Sequence, residues 1–176
     1  MKFEKTNIEG AFVVRPEPFR DDRGHFARAY CTQEFAEIGA DYTFVQTNIS
    51  GNTQAGTIRG LHYQTGPSEE AKFLRCITGA VFDVMLDMRP NSPTYLNSFG
   101  VTLSAESMDA ILVPPMIAHG YLALSDGAEV LYMSSHAFDP SREEGVRYND
   151  PVIKVDWPIP VAHVSDKDLG WPDIAV

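Results

Sequence analysis

No apolar run in this chain approaches the ~20 residues that a bilayer-spanning helix needs, and the N-terminus, MKFEKTNIEGAF, has no apolar signal core. A soluble, cytoplasmic protein is expected. Cysteine is nearly missing. Cys31 and Cys76 form no CxxC pair and no disulfide framework, which fits a reducing compartment and thiols without structural duty. Basic residues are scarce: 14 Lys and Arg against 24 Asp and Glu leave a formal charge of −10. That balance argues against a nucleic-acid partner, whose phosphates call for basic surface, but leaves room for one local basic pocket holding a small phosphorylated ligand. A Gly-rich phosphate loop and a GxSxG elbow are both absent. His25, His62, His119, His136 and His163 lie far apart in the sequence, so zinc- or iron-type spacing is lacking and no metal is expected.

The 176 residues, 44% of them hydrophobic and 22% charged, suit one globular domain spanning 1–176 with a core of its own. No linker, repeat or low-complexity stretch divides it. Ala11–Val14 is the clearest early strand, closed off by Pro16 and Pro18. Phe19 to Phe26 makes a turn around Gly24, most simply a solvated hairpin tip. Thr32 to Ile38 is the best helix, with Thr32 as cap and Gly39 as terminator. Tyr42–Ile49 alternates as a strand, followed by a polar loop over residues 51–56. From there the pattern is almost wholly β: Thr57–Tyr63, Lys72–Ile77, Val81–Met88, Leu96–Leu103, Ala110–Val113, Gly120–Leu124, Val130–Ser135 and Gly145–Tyr148, divided by Gly and Pro breakers. Many short strands at roughly ten-residue spacing predict an antiparallel sandwich or barrel. The proline-rich tail after Pro151 is expected to be extended on the surface.

The chain is organised around Thr57–Asp87, where polar residues recur along strands. Arg59 and His62 fall on opposite faces of a regular strand; a bulge near Gly60 would bring them to one pocket. His62 suits a general base, the role for which imidazole is the usual side chain, against the plainer alternative of a satisfied core histidine. Lys72 and Asp83 are charges inside apolar strands, rarely buried unless paired. Facing inward, Lys72 would meet a developing enolate and Asp83 would hold Lys72 or a histidine; facing outward, both would simply be solvated. His119, between Pro114-Pro115 and Gly120, reads as a loop histidine, either a ligand contact or simply exposed, and Tyr132 as a core aromatic unless it faces His62 across a cavity.

Taken together, FRDDRGHF, FVQTNIS, IRGLHYQ, AKFLRCITGAVFDVMLDMR, SPTY, LSAE, VPPMIAHGYLALSD, AEVLYM, YNDP and VSDKD resemble the dTDP-4-dehydrorhamnose 3,5-epimerases, in order, from about residue 10 to 170. The resemblance implies an all-β, cupin-like jelly roll with short peripheral helices, a homodimer that exchanges N-terminal strands, and no metal or redox cofactor. It also implies roles: His62 as base with Asp168 as its carboxylate partner, Tyr132 as acid on the opposite face of the sugar, and Lys72 at the C4 oxygen. Arg23, Arg59 and His119 would contact diphosphate and sugar. Gln46, Asn48, Glu143 and Lys167 would make further substrate contacts, and Phe138 would stack on the base. The implied reaction inverts C3, C5 or both of a nucleotide-linked 4-keto-6-deoxyhexose in deoxysugar and polysaccharide precursor biosynthesis. The sequence departs from the family pattern at Arg28, where an acid is usual, at Thr47, at Phe138 and over Met133–His136. The competing readings are a 3,4-ketoisomerase, disfavoured because Lys72, Tyr132 and SDKD match the epimerase pattern as a set, and a non-catalytic sugar-nucleotide-binding cupin, which has no need of an acid opposite a base.

Overall fold

Short strands with one apolar face cannot bury it alone, and here two sheets solve the problem by stacking. The computed structural model describes residues 1–153 and 155–175. The first sheet has the order β1 (Lys2–Lys5), β2 (Phe12–Arg15), β10 (Ala110–Val113), β7 (Lys72–Thr78), β12 (Ala128–Ser134) and β5 (Gln46–Asn52). The second has the order β13 (Glu143–Gly145), β6 (Ile58–Gln64), β11 (Ile117–Ala123), β8 (Ala80–Asp87) and β9 (Ser98–Ser104). All the paired strands run antiparallel. This is the cupin-like jelly roll, the sandwich branch of the expectation. A separate ribbon, β3 (Phe19–Asp21) with β4 (Gly24–Phe26), forms the solvated hairpin around Gly24.

Period-two alternation sorts the side chains. Leu74, Cys76, Ile111, Val113 and Val130 of the first sheet meet Val81, Met85, Leu103, Ile117 and Tyr121 of the second between the layers. The outer face of the first sheet carries Phe12, Val14, Phe73 and Leu112 and is covered by α1 (Thr32–Glu37) through the buried Phe35. The outer face of the second carries Leu61, Val84, Leu86 and Ala118, covered by Val146 and Ile153. Phe35 sits edge-on to Phe73, with ring centroids 4.9 Å apart.

Several boundaries differ from the sequence expectation. The strand expected at Tyr42–Ile49 is instead Gln46–Asn52, because Tyr42 and Phe44 pack on the outer aromatic cluster while the ladder to β12 begins at Gln46. The strand expected at Gly145–Tyr148 ends at Gly145. β11 begins at Ile117, so His119 lies on a strand and not in a loop. Thr32 is the first helical residue and Cys31 the cap position, without a side-chain cap bond. The tail is not wholly extended: Asp166–Leu169 form one helical turn, α2, whose Ser165 hydroxyl accepts from the Asp168 N–H at 3.1 Å. No helix among the described residues is long and apolar enough to cross a membrane.

Candidate active site

The space between the sheets changes character along each strand. On β7 the inward series runs from Lys72 to Leu74 and Cys76, and on β12 from Ser134 and Tyr132 to Val130. The apolar ends close the core; the polar ends leave a cavity of about 720 Å³. β5 adds Gln46, Asn48 and Ser50 from the first sheet, and β6 and β11 add Arg59, His62, His119 and Tyr121 from the second. Lys72 and Tyr132 therefore stand on one wall and His62 on the other.

A bulge lets β6 supply both Arg59 and His62. His119 pairs with His62 and Tyr121 with Arg59, so two residues of β6, Gly60 and Leu61, oppose the single Gly120 of β11. Gly60 has φ +106°, and a Cβ there would lie 2.6 Å from the His119 carbonyl and 2.8 Å from the Gly120 Cα. Only glycine fits, and the insertion re-aims the alternation so that both side chains enter the cavity.

The C-terminal tail completes the second wall. His163 bridges Thr57, bringing the following turn over β6. Asp168, buried on α2, places Oδ1 2.5 Å from His62 Nε2 and accepts the Gly60 N–H at 3.3 Å through Oδ2. Burial alone would raise the Asp168 carboxyl, but the His62 ring, the Gly60 amide and the Ser165 hydroxyl outweigh it and hold the group below the ordinary carboxylate range. An ionised Asp168 accepts a hydrogen bond from Nε2–H, which leaves the ring's lone pair on Nδ1. Trp171 lies against Gly145, where a Cβ would meet its ring at 2.4 Å, and sits edge-on to His62 with centroids 6.1 Å apart.

Each acid around the cavity has a cationic or imidazole partner. Lys167 Nζ is 2.5 Å from Glu143 Oε2, and Glu143 Oε1 is 3.7 Å from His62 Nδ1. Lys72 Nζ is 3.1 Å from Glu70 Oε1. Asp83 takes His119 Nε2 at 2.9 Å. Burial pushes the Asp83 carboxyl up, against the pull of His119 and then of Lys72. The solvent-facing alternative for Lys72 and Asp83 is thus overturned, and Asp83 holds the histidine. Arg59 differs. Among the described residues it has no acidic partner; its guanidinium donates to neutral acceptors, Asn52 Oδ1 and the Gly51 carbonyl, each at 2.9 Å. A guanidinium without an acidic partner at a cavity wall has the charge and geometry to receive an anion.

Tyr132 faces the cavity and is not merely a core aromatic. Burial chiefly, and the Glu70 carboxylate next, push its phenol up, so it stays protonated through neutral pH. Gln46 accepts the Phe138 N–H at 3.3 Å and donates to Asn48 Oδ1 at 3.2 Å. The Asn48 Nδ2 is buried with no hydrogen-bond partner among the described residues, a donor left for a ligand. Phe138 is half exposed at the mouth, 6.0 Å from Lys167 Nζ.

Three residues singled out in the sequence lie outside the cavity. Arg23 is not in the cavity of its own chain; it sits exposed on the β3–β4 turn, bound to Asp21 at 2.6 Å. Arg28, the charge reversal, is taken up by Glu34 at 2.6 Å and does not line the cavity. Thr47 points to the outer face of β5. Sequence reasoning missed Glu70, Asn52, Tyr121 and Trp171. Glu70 reads as part of a solvated charge run, and only the outward-then-inward count back from Leu74 and Lys72 would have turned it inward.

Residues 5–175 match the family model described as dTDP-4-dehydrorhamnose 3,5-epimerase. The chain is 39% identical over 171 residues to the dTDP-4-dehydrorhamnose 3,5-epimerase of Shigella flexneri, covering 97% of this chain and 94% of that one. It is 38% identical to a dTDP-4-dehydrorhamnose 3-epimerase of Streptomyces niveus, covering 96% and 81%. A crystal structure of the Bacillus anthracis dTDP-4-dehydrorhamnose 3,5-epimerase with TDP and PPi bound superposes with a TM-score of 0.95 at 36% identity, covering 98% and 99%.

Proposed function

The chain belongs to the dTDP-4-dehydrorhamnose 3,5-epimerase family, isomerases of nucleotide-linked sugars, and we propose that it inverts C3, C5 or both of a dTDP-linked 4-keto-6-deoxyhexose through an enolate. The observation that carries the mechanism is the 2.5 Å His62–Asp168 contact on one wall of a cavity whose other wall bears Tyr132 and Lys72. The C4 ketone acidifies the hydrogens at C3 and C5. His62 Nδ1 takes one, the C–H electron pair moves into the enolate, and Asp168 stabilises the imidazolium as a triad carboxylate does. The Lys72 ammonium meets the developing charge on the C4 oxygen. Tyr132 returns a proton to the carbon from the opposite face, which inverts the centre.

Binding follows the same wall-by-wall division. Arg59, with its unpaired charge, takes the diphosphate, and His119 lies beside it on the adjoining strand. Gln46, Asn48, Glu143 and Lys167 hold the sugar and nucleotide, and Phe138 offers its exposed ring to the base. The dTDP assignment draws on the TDP-bound Bacillus anthracis relative.

Arg23 enters this scheme from a second copy. Phe19 and Phe26, paired on the ribbon, are 68% and 76% exposed, and Val45, just before edge strand β5, and Ile49 on it are exposed as well. Apolar side chains so placed favour a homodimer in which the ribbon docks on the partner. The whole chain, 1–176, then acts as one epimerase domain, in the cytoplasm, where the two unpaired cysteines are at home.

Proton NMR of dTDP-4-keto-6-deoxyglucose with the protein in D2O tests the reaction. Loss of both C3-H and C5-H signals identifies a 3,5-epimerase, and loss of one a single-centre epimerase. Retention of both, or near wild-type turnover in His62→Ala, sinks the proposal.

A further inference from the structure

The cavity contains one charged side chain to which the proposed chemistry gives no part. Glu70 lies just before β7 in the run Ser68-Glu69-Glu70-Ala71-Lys72, and its side chain is only 8% exposed. A carboxylate loses several kcal/mol of hydration at such a depth and is found there only with a partner. The partner is Lys72, 3.1 Å away.

Local backbone geometry fixes that pair. Ala71 extends the ladder beyond β7: its N–H donates to the Ser135 hydroxyl at 2.8 Å, and its carbonyl accepts the Ser135 N–H at 2.9 Å. With the backbone held extended on both sides of Ala71, residues 70 and 72 point the same way, into the cavity.

Lysine brings a flexible four-carbon stem and three ammonium protons. Here the ammonium has two acceptors, the Glu70 carboxylate and, across the cavity, the His62 carbonyl at 3.3 Å. Two anchors on different sheets stop the stem from swinging and leave one N–H for a ligand oxygen. We propose that Glu70 is a positioning residue of the reaction, holding the Lys72 ammonium so that its remaining N–H is aimed at the substrate's carbonyl oxygen. The inference rests on the epimerase reading and assigns Glu70 a part within it.

The test is a double-mutant cycle of Glu70→Gln and Lys72→Met, with kcat and KM measured separately on the 4-keto sugar nucleotide. Removing an oxyanion contact costs ~10²–10³-fold in kcat, so Lys72→Met should show a loss of that order. Glu70→Gln should lower kcat about 10-fold and leave KM within about threefold, and it should add nothing in the Lys72→Met background. A purely structural Glu70 would give losses that multiply, or a Glu70→Gln kcat within about twofold of wild type; either overturns the assignment while the epimerase reading stands. Nitrogen-15 NMR of the wild-type Lys72 ammonium keeps the question open to decision if Glu70→Gln does not fold. An N–H signal protected from solvent exchange supports the anchor, and a freely exchanging ammonium overturns it. A wild-type protein that turns over no 4-keto sugar overturns the epimerase reading and Glu70's part in it together.

Discussion

His62 and Asp168 are 106 positions apart in the chain, yet their side chains meet at 2.5 Å. His62 stands on a bulged strand and Asp168 on a single helical turn of the tail; burial there opposes ionisation, and the His62 ring, the Gly60 amide and the Ser165 hydroxyl outweigh it. Asp168→Asn should leave the fold intact, because an amide still accepts the Gly60 N–H. It should also lower kcat by roughly 10²–10⁴-fold, since the neutral amide no longer selects the tautomer or stabilises imidazolium. Steady-state kinetics beside a thermal melt checks both halves; an unchanged kcat would remove Asp168 from the mechanism.

Tyr132 separates proton removal from inversion. Tyr132→Phe keeps the ring packed against Val130 and Leu74 and deletes only the proton donor. Deuterium should still enter the substrate from the His62 face while epimerised product falls by ~10²-fold or more, the usual weight of a general acid. Parallel loss of exchange and product would show that Tyr132 does more than return a proton.

Asp87 predicts the acid limit of the fold. Burial would raise its carboxyl, but Arg89, the Ser92 and Thr94 hydroxyls and the Arg89 amide bring it down to about 2 from an ordinary 3.8. A depressed carboxylate adds stability that is complete above the unfolded value and disappears as pH falls through the folded one. The shift corresponds to about 2 kcal/mol, lost between about pH 4 and pH 2. Urea unfolding across that range should show the loss, and Asp87→Asn should flatten it while lowering stability at pH 7.

The ribbon is the test of assembly. Phe19→Ser with Phe26→Ser changes two side chains that touch nothing in their own core, so the fold should persist and the molecule should run as a monomer in size-exclusion chromatography with light scattering. Arg23→Ala, in an intact dimer, should raise KM at least 10-fold with kcat little changed, as a lost contact to a charged ligand group does. A monomeric wild type would leave Arg23 without a route to a cavity.

The sequence by itself determined the class of fold and named many of the side chains that line the cavity. Strand alternation along β7, β8, β10 and β12 was legible because which face a residue occupies depends only on its parity within a strand, and Gly and Pro marked most of the turns. The resemblance named His62, Asp168, Tyr132 and Lys72 before any geometry was available. Where strands began or ended was less legible at Gln46, Ile117 and Gly145, because pairing with a distant partner sets a strand's ends and local propensity does not. Tertiary structure alone decided that Gly60 bulges, that Asp83 turns to His119, that Arg59 keeps its charge unpaired and that Glu70 is buried. Each of these depends on which side chains from remote segments arrive at one point, and on how much water remains when they do; a one-dimensional pattern carries neither quantity.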